Sequence, residues 1–457
     1  MIIFPYIISL AMGYLALNLC LRPSPLRNSL LHWALSLMMG LGLSALLTFY
    51  CFLCVGQFNR SAIILVNMMA LIVLLAANLK WPALKQNKRP VSGFDHWDKI
   101  SFGMWAVIFV VILFNAQKQH PFGEWDAWAL WNMKLKFLVL GGTDWRDIFH
   151  GLHWHTQPEY PLLLPFINTW VHAFSNTDLI FTAYVTSSVF TLTGIMLLYT
   201  CLGLFIDKLI AFLSSLLLAV SPYFMFLATA QYADTPFASI MLSCTALMLL
   251  LVKTKNAGIA LTFGLFLGLS TFTKNEGIVT SFLLFTLASI VLLRDKDNRS
   301  VGIKLIGIIL GGLLATGLAT IILKVGLAPV NKDIFVNPLS GPLNFFNASG
   351  LYILAKAILR EIFHERWVHL WIFIVFMGFT AIPQSLNKEK KLLTIFMLLY
   401  FAILAYIYLT TINFNLEWRL KSTLHRIFFY QLPTILFICF YIHWHAKDQF
   451  PTHEHTQ

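Results

Sequence analysis

The sequence predicts an all-α polytopic membrane protein that crosses a bilayer about thirteen times. Three observations carry that prediction. Only 11% of the 457 residues are charged, against about a quarter in soluble domains, while 58% are hydrophobic and mean hydropathy is +0.74. Apolar runs of ~18 residues or more, long enough to cross ~30 Å of hydrocarbon as helices, recur along the whole chain. Weakly alternating strands of ~10 residues, the mark of a membrane barrel, are missing, so backbone polar groups have to be paired within each segment, as a helix does.

The apolar spans fall near residues 2–20, 30–54, 61–79, 100–116, 179–205, 210–230, 235–252, 256–272, 276–293, 305–325, 367–384, 392–412 and 427–445. Residues 161–174 (PLLLPFINTWVHAF) are short for a span and contain Pro and His. Loop charge decides their place. Left out of the count, they put Arg22, Arg27, Lys80, Lys85, Lys88, Arg89, Lys208, Lys253, Lys255, Arg294, Lys296, Arg299, Lys304, Lys388, Lys390 and Lys391 on one face. That is the positive-inside pattern, with the N-terminus outside. Counted as a span, they would invert every later loop. The expectation is therefore thirteen spans, with 161–174 an interfacial helix. The N-terminus has neither a basic n-region nor a small-residue cleavage site, so residues 2–20 read as a retained span.

The net charge of +12 does not point to nucleic acid, because the basic residues sit in short connections without aromatic interleaving. The six cysteines lie mostly inside apolar runs; Cys51 and Cys54 form a CxxC with no second pair, which reads as packing rather than zinc or redox chemistry. His443, His445, His453 and His455 have no convergent metal-ligand spacing. No internal repeat is visible. The expected outer loops, 117–178 and 326–366, are too long to be mere connections, and such loops tend to carry function.

Four stretches hold the polar chemistry. The first is FGEWDAWALWNMKLK, 122–136, where Trp125, Trp128 and Trp131 recur at helical spacing, as in a helix at headgroup level. Asp126 among those rings would be partly desolvated and more basic, as a general base should be. Lys134 and Lys136 lie two turns on, within reach of a lipid phosphate. The alternative is an aromatic belt with solvated charges. The second is QYADTPFA, 231–238: Asp234 either caps the helix that Pro236 opens or pairs with Asp126 on the same membrane face. The third is FTKNEG, 272–277, where Lys274 and Glu276 sit between two spans with almost no loop. It is either a functional ionisable pair or a solvated turn relaxed by Gly277. The fourth is WRLKSTLHRIFFYQLP, 418–433, with Arg419, Lys421, His425 and Arg426 at the outer end of the last span. Arg426 there breaks the positive-inside rule and has no acidic neighbour in sequence, which suggests an anionic partner such as phosphate.

Taken together, WDAWALWNMKLKFL, PEYPLLLP, QYADTPFA, TKNEG and LKSTLHRIFFYQLP resemble the GT-C superfamily of membrane glycosyltransferases. More narrowly, they are similar to bacterial relatives of the dolichyl-phosphate-mannose protein mannosyltransferases and of the lipid A aminoarabinose transferases. The resemblance covers residues 100–435; residues 1–99 are three additional N-terminal helices, and 436–457 are the end of the last span and a polar cytoplasmic tail. It implies a catalytic carboxylate at Asp126, a second acid at Asp234, and donor-phosphate cations at Lys134, Lys274 and Arg426. Glu124, Glu276, Tyr160 and His425 would support them, His425 standing where relatives often have an acid. The implied activity moves a sugar, with inversion, from a polyprenyl-phosphate donor to a lipid, protein or glycan acceptor on the outer face of the inner membrane. No cofactor is implied, and a divalent metal is not needed where basic groups suffice. A secondary transporter, or a non-catalytic protein that holds a lipid-linked glycan, are the alternatives.

Overall fold

The computed structural model describes residues 2–22, 26, 29–81, 95–330, 348–381, 387–410 and 415–444. Part of the outer loop 326–366 and the tail histidines His445, His453 and His455 lie outside them. Among the described residues there are seventeen α-helices and no strand. In chain order they are α1 (Phe4–Cys20), α2 (Leu30–Val55), α3 (Arg60–Lys80), α4 (His96–Gln119), α5 (Asn132–Leu140) and α6 (Leu163–Ser175). Next come α7 (Leu179–Leu202), α8 (Lys208–Ala219), α9 (Pro222–Thr229), α10 (Asp234–Thr254), α11 (Ala257–Thr273) and α12 (Asn275–Arg294). The last are α13 (Arg299–Ile322), α14 (Ala348–Ile362), α15 (Leu370–Ala381), α16 (Lys388–Thr410) and α17 (Leu416–His443).

Nine described helices are long and apolar enough to cross a membrane. The pair α8–α9, bent by 67°, makes a tenth, and α1, α11 and α15 are shorter apolar helices. A helix thus stands at each of the thirteen apolar segments. Polar residues set the starts: Ser29 accepts from His32 N–H, Asn59 from Ala62, Asp207 from Leu209, and Asp95 and Asp98 form a capping box on α4. Segment 161–174 is α6, and it does not lie free on a surface. Nearly all of it is buried, packed on α2, α3, α5 and α7.

Burial separates centre from periphery. The most apolar window of α10 is 100% buried and that of α17 89%, whereas α3 reaches only 11%. The two helices that carry Asp234 and Arg426 are therefore the middle of the bundle. The N-terminal helices are packed onto the rest: Tyr6 shares a hydrogen bond with Thr186 at 2.7 Å, and Trp170 Nε1 donates to Ser9 Oγ at 3.1 Å.

Between lipid-solvated helices, close approach needs small side chains. In the α1–α2 pair a Cβ on Gly13 would lie 1.8 Å from Ser36 O, and one on Gly40 1.6 Å from Ser9 O. Gly13→Ala should therefore lower stability by about 1–3 kcal/mol or more, the scale of overpacking. Gly103→Ala, on α4 with nothing within 4 Å, should leave it unchanged or slightly raised. Thermal unfolding in detergent checks both, and equal melting of the two variants would contradict the packing described.

Candidate active site

The site is assembled at one end of the bundle by loops that hydrogen bond to one another. After α4 the chain turns at Gly123, whose φ of +77° favours glycine. The loop is then stitched to the segment leading into α10. Glu124 N–H donates to Ala230 O at 3.1 Å and Asp126 N–H to Tyr232 OH at 3.3 Å. The Gln231 amide donates to His120 O at 3.1 Å and accepts from Asn132 at 2.9 Å. Asp126 starts a π-helical turn, Ala127–Trp131, a form frequent at functional sites. Trp125 and Trp128 stay exposed, but Trp131 is buried, so the three indoles do not form one belt.

Asp234, 1% exposed, opens α10. Two cations meet it. Arg426 of α17 places Nε and Nη2 each 2.8 Å from Asp234 Oδ2, while its Nη1 ion-pairs with Asp126 Oδ2. Lys274 Nζ ion-pairs with Asp234 Oδ1 and lies 3.4 Å from Glu276 Oε1. Lys274 occupies an extended residue between α11 and α12, and a Cβ on Gly277 would lie 1.9 Å from Ser270 O. The glycine lets the two helices meet at a turn sharp enough to push Lys274 inward. Aromatic faces complete the setting: Arg426 lies over Tyr232 at 4.8 Å and Lys274 over Tyr430 at 4.9 Å. Arg426, without an acid in its local sequence, thus bridges two carboxylates that are far away in the chain.

These cations line a cavity of about 260 Å³ with Tyr160, Glu276, Arg419 and Thr423. Arg419 lies over the Tyr408 ring at 5.1 Å, and its Nη1 is buried with no hydrogen-bond partner among the described residues. Leu404, Tyr408 and Ile427 also line a second cavity, apolar and about 580 Å³, bounded by α14, α15, α16 and α17. The second cavity follows α17 from Leu424 to His443, about 28 Å at ~1.5 Å per residue. A polar chamber at the bundle end and an apolar groove of nearly bilayer depth share a wall.

Asp126, Asp234, Lys274 and Arg426 are thus brought together; Lys274 and Arg426 line the cavity with Glu276 and Tyr160, and the two aspartates meet those cations off its lining. Lys134 does not line it. Its ammonium, 1% exposed, donates to Gln157 O at 2.7 Å between the rings of Trp131 and Tyr160. Lys324 donates to Glu159 O and Asn275 Oδ1. Both lysines therefore hold the 157–160 turn that walls the chamber. Glu124 is half-exposed and sits 3.1 Å from the His120 ring. His425 faces the Tyr223 ring, 6.1 Å away. Arg419 was grouped with the basic cluster in sequence but not singled out. Its signal is the spacing 419, 423, 426, 430, one face of a helix that begins before the apolar run.

The family comparison supports a membrane glycosyltransferase of the GT-C type. A family model described as dolichyl-phosphate-mannose-protein mannosyltransferase matches residues 159–323, from the turn before α6 to the end of α13, and so includes Asp234, Lys274 and Glu276. No curated protein and no solved structure matches the chain.

Two outcomes follow from this geometry. Asp234→Asn leaves Lys274, 3% exposed, with only the more distant Glu276 carboxylate, and takes from Arg426 its buried one; it should cost about 3–5 kcal/mol in unfolding measurements. Adding Lys274→Met should recover part of that loss; a further drop would mean that the two do not act as a pair. Lys134 offers a pH test. Burial, opposed by Glu159 and reinforced by Lys324, pulls its ammonium down to about 7. The unfolded chain keeps that proton up to its ordinary range near ~10.4. Between these limits the unfolded state binds more protons, so stability rises with pH; below 7 both states are protonated and the burial penalty is complete. The melting temperature of Lys134→Met should lack this component of the rise between about pH 7 and 10 that the parent shows.

Proposed function

We propose that the protein transfers a sugar from a polyprenyl-phosphate donor to an acceptor at the outer face of the inner membrane. The observation that carries this reading is the shared wall of Leu404, Tyr408 and Ile427 between the cationic chamber and the apolar groove. An amphiphile with an anionic head and a long apolar tail fits both at once, whereas a water-soluble nucleotide sugar has no apolar chain to fill the groove. The phosphate would sit at Arg419, which lines the chamber beside Thr423, within the field of Arg426 and Lys274.

Asp126 is one-fifth exposed and Asp234 only 1%. Burial thus divides the two acids. Asp234 orients the cations, and Asp126 remains reachable by an acceptor. In the proposed reaction Asp126 takes the acceptor's proton as its oxygen or nitrogen attacks the anomeric carbon opposite the phosphate. The new glycosidic bond forms as the bond from that carbon to the phosphate oxygen breaks, and the configuration inverts. The electron pair leaves on the lipid phosphate, whose growing charge Arg419, Arg426 and Lys274 stabilise. No metal ion is assigned a step. Arg426 links the two halves, because a donor phosphate that draws on its guanidinium loosens its hold on Asp126.

The orientation rests on charge. Lys255, Arg294 and Lys296 lie at the end opposite the site, which the positive-inside rule assigns to the cytoplasm. Cysteines at Leu152 and Asp297, in a chain freed of its six native cysteines, should respectively react and fail to react with an impermeant maleimide on intact cells. The reverse pattern would place the site inside. With purified protein and a labelled polyprenyl-phosphate sugar, Asp126→Asn should lower turnover by about 100-fold or more. Glu124→Gln should do far less. Arg419→Ala should weaken donor use by about 1.5–3 kcal/mol, the scale of a lost hydrogen bond to a charged group. Equal losses for Asp126→Asn and Glu124→Gln would move the base elsewhere.

A further inference from the structure

The apolar groove has two ends of different character. The upper one is the wall of Leu404, Tyr408 and Ile427 shared with the cationic chamber. The lower one is tied by polar contacts. His443, on the lining, shares a hydrogen bond between Nε2 and Thr380 Oγ1 at 2.9 Å. Lys390, 6% exposed, donates from Nζ to Ile442 O at 2.7 Å. Thr380 stands at the end of α15 and Lys390 in the first turn of α16, so both helices are joined to the last turn of α17. The groove thus has a fixed length between a charged chamber and a polar floor, about 28 Å from Leu424 to His443 at ~1.5 Å per residue. An extended isoprene unit spans about 5 Å, from backbone bonds of ~1.5 Å each, so about six units fill it. Val375, Gly378 and Leu398 on the lining are exposed, which lets the rest of a longer chain leave sideways into lipid.

Moving from lipid into the groove gives a hydrocarbon chain no hydrophobic gain, because lipid tails are as apolar as the lining. Discrimination has to come from contact. A unit that fits between the walls gains dispersion from them, and a unit beyond the floor gains none. Room at the bottom is set by one residue. Trp371, Ile374, Val375 and Gly378 share a face of α15 at spacings of three and four residues. A Cβ on Gly378 would meet nothing within 4 Å, and Gly378 precedes Thr380 by two residues, about 3 Å at ~1.5 Å per residue.

We propose that the groove is a ruler for the donor tail: it holds about the first six isoprene units after the phosphate, and Gly378 leaves the space for the last of them. The inference rests on the polyprenyl-phosphate reading above. It adds a length limit and the residue that sets it.

Binding of sugar-free prenyl phosphates to the purified full chain tests this without knowledge of the sugar or the acceptor. Farnesyl, tetraprenyl, hexaprenyl and undecaprenyl phosphate compete with labelled hexaprenyl phosphate in lipid nanodiscs, at fixed mole fractions of total lipid. Affinity should rise about tenfold from farnesyl to hexaprenyl and change less than about twofold from there to undecaprenyl. Gly378→Trp, which puts a ring into the lower groove, should weaken hexaprenyl and undecaprenyl binding about fivefold or more and farnesyl binding less than about twofold. Arg419→Ala should weaken every length by the same factor, because head and tail contacts are far apart. Affinity that keeps rising to undecaprenyl, affinity independent of length, or equal losses for all lengths in Gly378→Trp would overturn the ruler and leave the phosphate reading standing. Failure of every prenyl phosphate to bind would overturn both. If Gly378→Trp fails to fold, the parent's length series decides.

Discussion

The site depends on one constraint: Asp234 is a carboxylate buried to 1% exposure inside an apolar bundle, and it can stay charged only if cations come to it. Two do, from different helices. Arg426 closes on one oxygen with two nitrogens, and Lys274 takes the other. α10, the α11–α12 turn and α17 are thereby fixed together at their ends by charge, where apolar packing alone would let them slide. Such a triad contributes little net stability, since desolvation offsets most of the Coulombic gain. What it supplies is position. Removing one member strands the others, and that penalty keeps all three in register.

Arg426 extends the constraint to the loop after α4, because its remaining nitrogen holds Asp126. The backbone had already brought that loop close through Glu124, Gln231 and Tyr232. Asp126 is therefore located twice, by main-chain hydrogen bonds and by an ion pair. The two aspartates have the same chemistry and different surroundings. The buried one is saturated on both oxygens by cations, whereas the more exposed one has a cation on a single oxygen. In the proposed reaction that asymmetry makes one a positioning group and the other the base.

Hydropathy made the helices legible in the sequence, since an apolar run of span length has few folded alternatives. Each of the thirteen segments holds a helix, and the break at Pro222 and the turn at Lys274 fall where polar residues or proline interrupt the runs. Pairings across the bundle were not legible. Nothing local marks Arg426 as the partner of residues 192 and 300 positions away. Lys134 looked like a phosphate ligand because it follows the tryptophan run, yet burial turned it toward Gln157 O as a wall support. Trp131 was misplaced for a related reason: the π-helical turn changes the register after Trp128, so helical spacing no longer put the three indoles on one face.

Depth bears on the readings that the sequence left open. A transporter that carries an ion or solute through a bundle needs its polar groups near midplane on broken helices. Here Asp234 and Glu276 stand in the first turns of their helices, Lys274 between two, and Arg426 ten residues into a helix that starts with polar residues. All belong to one end of the bundle, the level at which the charge-based threading puts the lipid headgroups. A membrane enzyme acting on a lipid-linked sugar meets its reactive bond at that level, because the phosphate cannot enter hydrocarbon and the tail cannot leave it. In the proposed reaction an apolar groove about 28 Å long along α17 would serve as a slot for the tail. That reading asks the charged chamber to open to the slot and to water at once, and Leu404, Tyr408 and Ile427, with Arg419 stacked on the Tyr408 ring, line both cavities.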